Sequence, residues 1–197
     1  MNKENIFVYV IIGLIVFICL RVYYQTMNVD LKCVISKVDG NTYCVRDRVM
    51  VKEAADLLAK ATNKMKELVA YVDKKYPKDA DVQRLVKGFN PKKISETLPT
   101  SELTAYSENK GEKIAFCLNK TKHTTTLIDL NTLTFVALHE LAHIMTTSIG
   151  HKQEFWKNFK FLLTEAVASN IYDPVDYKKE NQSYCGMTIT DNPYYDM

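Results

Sequence analysis

The chain of 197 residues has no Cys-x-x-Cys pair, no internal repeat, no low-complexity tract and no Gly/Ser-rich stretch. The first absence excludes a thioredoxin-type or cysteine-ligated zinc motif, and the second excludes a solenoid. Without a flexible joint, the part beyond the amino-terminal segment, about 170 residues, reads as one domain with one core. Charge of one sign is also scarce. Lys and Arg number 26 against 23 Asp and Glu, for a formal net charge of +3, and the lysines are interspersed with acids. Lys74-Lys75 with Lys78, and Lys92-Lys93, read as solvated faces rather than a basic stripe, so nucleic acid is not an expected partner.

What the chain does have is His139-Glu140-Leu141-Ala142-His143. HExxH on a helix sets two imidazoles one turn apart, where they can grip one zinc ion, with a carboxylate beside the first. The surroundings are helical. Phe135, Leu138, Ala142, Met145 and Ile149 form an apolar stripe, while Val136, His139, Glu140, His143 and Thr147 fall on another face. Asn131 is the expected cap, Asp129 favours the positive end and Gly150 marks the stop, which predicts a helix over 132–148. Two neutral imidazoles leave the metal its charge, so a bound water ionises near neutral pH and Glu140 can take its proton. A catalytic zinc needs a third protein ligand, and His151 follows just past Gly150.

Punctuation organises the rest. Residues 31–48 read as two β-rich runs around Asp39-Gly40-Asn41, a hairpin. Ala54, Leu58, Ala61, Met65, Leu68, Val72 and Tyr76 repeat at helical spacing until Pro77, and a shorter helix follows over 79–87. Leu103–Ser107 and Lys113–Asn119 flank Glu108-Asn109-Lys110-Gly111, a second hairpin, and Thr124–Asp129 adds an edge strand. A helix over 152–169 closes the series. Small strands ahead of an HExxH helix resemble those of zincin folds, in which an edge strand beside the cleft receives an extended peptide, and that resemblance makes Lys113–Leu118 the candidate edge. His123 lies in a polar loop and is not counted as a ligand.

The run HELAHIMTTSIGHKQEFW resembles the zincin core of WLM-type and SprT-like metalloproteases, in which HExxH is followed by a loop and a His that opens the next helix, with an aromatic a turn later. Those positions are His151 and Phe155. The resemblance covers about residues 98–170. SIGHKQEF and the tail Tyr184-Cys185-Gly186-Met187 are also similar to small metalloproteases of large DNA viruses, implying a viral protein. One departure stands out: seven residues separate His143 from His151, where such sites usually have five, and Thr146 occupies the metzincin glycine position. Glu165 therefore remains an alternative third ligand, as in gluzincins, which recruit a glutamate from a later helix.

The resemblance implies an α+β fold, a zincin-like domain of a small antiparallel sheet plus the HExxH helix. It also implies a Zn2+-dependent metallopeptidase acting on protein or peptide substrates, with Glu140 catalytic and His139, His143 and His151 on the metal. An oxyanion stabiliser is expected, with Tyr172, Tyr177 and Tyr184 as candidates. Two other functions stay open: an inactive zinc-binding structural or assembly protein of a membrane or virion, and a SprT-like protease of DNA-crosslinked protein.

Ile6 to Leu20 carries no charge, and with Val22–Tyr24 it makes a segment interrupted only by Arg21, whose side chain can reach the headgroups. Tyr23 and Tyr24 suit an interfacial belt, and Arg21-Val22-Tyr23-Tyr24-Gln25 offers no small-x-small cleavage site. The expectation is a membrane anchor over 1–27, with a transmembrane helix from Ile6 to Tyr24, ahead of a metalloprotease domain over 28–197. That is a single-pass protein of a host or virion membrane. Lys3 is offset by Glu4 whereas Arg21, Lys32 and Lys37 follow the span, so the positive-inside tendency favours a cytosolic domain. A Cys33–Cys44 disulfide across the first hairpin, which needs an oxidising compartment, would argue the reverse. Cys19 and Cys117 fall in apolar stretches, and Cys185 is either a turn residue or a thiolate able to silence the zinc.

Overall fold

The computed structural model describes residues 3–27, 31–121 and 126–196. It divides into two units, Met1–Asp30 and Leu31–Met197. The first contains one helix, α1 (Lys3–Met27). Among the described residues no helix is long and apolar enough to cross a membrane. This overturns the transmembrane helix, the single-pass localisation and the orientation argument built on them. The physical reason lies in the length of the uncharged run. Residues 6–20 rise about 22 Å at ~1.5 Å per residue, short of the ~30 Å hydrocarbon core, before Arg21 interrupts them.

The second unit is α+β. Its five-stranded sheet runs β1 (Leu31–Ile35), β2 (Thr42–Arg46), β3 (Ile94–Glu96), β5 (Lys113–Phe116), β4 (Ala105–Glu108). It is mixed rather than antiparallel, because β3 lies parallel to both β2 and β5. The first hairpin forms as expected, with Cys33 opposite Cys44 and the pair joined as a disulfide. Where β2 meets β3, Glu96 is buried and receives the guanidinium of Arg48 and the backbone N–H of Arg46. A buried carboxylate is retained only with such partners.

Helix α2 (Val51–Lys75) buries the predicted stripe, with Ala54, Leu58, Met65, Leu68 and Val72 almost wholly enclosed. α3 (Ala80–Gly88) starts at Asp79, whose side chain accepts from the N–H groups of Asp81 and Val82. α4 (Leu130–Met145) carries HExxH and lies against α5 (Gln153–Ala168). Its cap is Asp129, which accepts from the Thr132 N–H. Asn131 instead exchanges two hydrogen bonds with the backbone of Asp173. The helix also stops earlier than expected, at Met145, leaving Ile149 exposed.

A second, two-stranded sheet, β6 (Gln182–Tyr184) and β7 (Met187–Ile189), turns through Cys185, at φ 51°, and Gly186. It is fastened to the chain beyond β5: Asn119 and Lys120 offer their carbonyls to the N–H groups of Cys185 and Gly186 at 2.9 and 3.0 Å. A disulfide joins Cys117 to Cys185. The sulfur of Cys185 is thus bonded and is not a thiolate for the metal. Leu127 bridges to Asn119 where an edge strand was expected, while 122–125, and His123 with them, lie outside the described residues.

Candidate metal centre

His139 and His143 project from one face of α4, and the chain turns back after Gly150 so that His151 joins them. The Nε2 atoms of His143 and His151 stand 3.2 and 3.0 Å from Nε2 of His139. Nitrogens each ~2.0–2.1 Å from a tetrahedral zinc are about 3.3 Å apart, so the three imidazoles fit one such ion. Burial lowers the pKa of His139 to about 3 and of His143 to about 4, helped in each case by neighbouring imidazoles. Both are therefore neutral at pH 7, with lone pairs free for a metal.

Glu140 is 4 % exposed, and burial pushes its pKa up to about 8. A cation held beside it favours the carboxylate and moves that value down. Beneath the imidazoles lies Phe155, fully buried, with His139, His143 and His151 ring centroids at 4.8, 4.4 and 4.6 Å. It occupies the place that the motif reserves for an aromatic.

The three histidines open onto a cleft of about 1030 Å³. β4 and the residues before it, β7, and the 149–151 loop all contribute to its lining, as does Glu140. The sequence reading assigned the peptide-accepting edge to Lys113–Leu118. The structure gives β4 instead: β5 is hydrogen-bonded on both sides, by β3 and β4, and β4 is the edge that lines the cleft.

The other candidates separate cleanly. Glu165 is not brought to the metal site. It is enclosed between Lys75 Nζ and the Tyr76 hydroxyl, both at 2.7 Å. Tyr172 and Tyr177 pack on Phe135 in the core. Of the three tyrosines only Tyr184 lines the cleft, with its hydroxyl donating to the Thr104 carbonyl at 3.0 Å. Burial and the neighbouring Glu140 raise its pKa. The sequence reading missed Lys110 and the β7 segment. Lys110 carries no local signal in the sequence, and the tail carries one only in Tyr184–Met187.

The model of the WLM domain matches residues 52–194. The chain belongs to the WLM family. WLM proteins are typically zinc metalloproteases, and viral proteins are among those similar to this chain. An uncharacterized protein of Acanthamoeba polyphaga mimivirus is 30 % identical over 161 residues, spanning 80 % of this chain and 81 % of its own. Another, from Invertebrate iridescent virus 3, is 36 % identical over 99 residues, or 50 % of this chain and 57 % of its own. Among solved structures, a mutant Wss1 from S. pombe is 20 % identical with a TM-score of 0.41, covering 62 % of this chain and 92 % of that one.

Proposed function

We propose that this WLM protein is a zinc-dependent peptidase in which His139, His143 and His151 hold the metal and Glu140 is the general base. The observation that carries the reading is the meeting of three imidazole nitrogens beside a buried carboxylate in an open cleft. Zinc, when bound, lowers the pKa of water and polarises a carbonyl. The residues do the rest. Glu140 accepts the proton of the attacking water and delivers it to the leaving amine. β4 offers its unpaired backbone edge to an extended peptide, aligning the scissile bond beside the imidazoles. Tyr184 is the candidate to steady the developing oxyanion, exchanging its bond to Thr104 for one to substrate.

Glu140→Gln tests this directly. The variant should keep its zinc and lose nearly all cleavage of casein, since an amide cannot accept the water's proton. Cleavage near the wild-type rate would refute the mechanism. A wild-type chain that holds zinc yet leaves denatured casein intact would point to a structural metal site, and stimulation by DNA to crosslinked substrates.

A further inference from the structure

The seven residues between His143 and His151 are longer than the spacing usual at such sites, and most of them have no regular structure. Their backbone is nevertheless held from two sides. Lys110 Nζ, from the turn between β4 and β5, donates to the carbonyls of His143, Thr146 and Ser148 at 3.2, 2.7 and 3.1 Å. An ammonium has three N–H groups, and each has an acceptor here. From α5, Glu154 accepts from the N–H groups of Thr147 and Ser148 at 2.8 and 3.0 Å, and Asn158 donates to the Thr146 hydroxyl. Carbonyls at a helix end lack intrahelical partners and favour a cation, so Lys110 also completes the end of α4.

The turn that carries Lys110 is seated for this task. Asn109, Lys110 and Gly111 have φ of 46°, 56° and 104°. A lysine gains nothing from left-handed backbone, so the surroundings must impose it. They do so by close approach: a Cβ added to Gly88 at the end of α3 would stand 2.6 Å from the Lys110 carbonyl oxygen, and one on Gly111 would stand 2.8 Å from Ile144 of α4. Arg84 of α3 adds a bond to the Met145 carbonyl at 2.5 Å.

We propose that Lys110 is a positioning residue for the third metal ligand: with Glu154 it fixes the 146–150 loop that presents His151, and it ties that loop to the hairpin whose β4 edge lines the cleft. The inference rests on the zinc-peptidase reading for its functional consequence, though not for the ordering of the loop.

The test uses the full chain with Lys110→Met, Lys110→Arg and Glu154→Gln. Three quantities are measured: hydrogen exchange over 146–151 without metal, zinc affinity by chelator competition, and kcat and KM on casein. Lys110→Met should speed loop exchange and raise the zinc Kd about tenfold, as loss of a supporting partner does. Its kcat should fall while KM stays within about twofold, because β4 remains in place. Lys110→Arg should lie between, since a planar fork restores the charge but not three bonds from one point. Glu154→Gln, altering a half-buried side chain, should reproduce the exchange change in part and serves if Lys110→Met does not fold. Loop exchange and zinc affinity unchanged in Lys110→Met, or in Glu154→Gln if that must stand in, would overturn the proposal. If the wild type binds no zinc, the peptidase reading fails, and exchange in the metal-free variants still decides whether Lys110 orders the loop.

Discussion

The ring of Phe155 faces that of His143 with centroids 4.4 Å apart and planes inclined by 32°, and the same ring meets the other two imidazoles of the cluster. One buried aromatic thus touches all three imidazoles of the cluster. Phe155→Ala should cost about 3–5 kcal/mol in a denaturant titration, because it leaves a cavity under the site. Phe155→Leu should cost less, and zinc affinity measured by chelator competition should follow the same order.

The third ligand can be assigned by a pair of variants. His151→Ala should weaken zinc by more than the ~10–100-fold typical of a supporting residue. Glu165→Ala should leave zinc affinity unchanged and lower stability by about 1–2 kcal/mol, since it removes partners from Tyr76 and from the partly exposed Lys75. The reverse ranking would put Glu165 on the metal.

What was legible in the sequence was local. The 3.6-residue spacing located α2 and α4 to within a few residues, the Asp39-Gly40-Asn41 turn located the β1–β2 hairpin, and a histidine just beyond a glycine gave the metal cluster. The misses arose where distant segments decide. β3 is three residues long and exists by pairing with β2 and β5, and its presence turned β5 from an edge into an interior strand. Glu165 shares a helix with Phe155, but whether it points to the metal or to Lys75 depends on where α2 lies. Asp129 rather than Asn131 caps α4 because Asn131 is engaged by the backbone of Asp173, 42 residues away. The uncharged run at the amino end stops at Leu20, and a segment to Tyr24 reaches membrane length only by including Arg21.

Cys117 and Cys185 are 68 residues apart, and closing a loop of that length stabilises a fold by roughly 4 kcal/mol in the chain-entropy model. Cys185→Ser should lower the unfolding free energy by about that amount. Because the bond fastens the hairpin that lines the cleft, KM for casein should rise more than kcat falls. A reductant should lower the wild type by more than the variant, whose own response comes from the remaining Cys33–Cys44 bond.

Glu154 gives a pH signature. Hydrogen bonds from the Thr147 and Ser148 backbone hold its carboxyl down to about 2, against 4.5 for the free group. A depressed carboxyl stabilises the folded loop fully above about pH 4.5 and loses that contribution as pH falls toward 2. Fluorescence of Trp156, the sole tryptophan, two residues from Glu154, should therefore report loosening between pH 4.5 and 2. Glu154→Gln should lack that component of the transition. A wild-type profile identical to the variant's would show that the carboxylate does not hold the loop.

The seating of Cys185 and Gly186 on Asn119 and Lys120 also bears on timing during synthesis. The three histidines precede the 182–189 hairpin in the chain, and both must leave the ribosome before that side of the groove can form. That side of the groove is complete only once the hairpin has docked on the carbonyls of Asn119 and Lys120. A message that stopped ahead of Gln182 would yield a chain that has all three histidines but lacks that side of the groove.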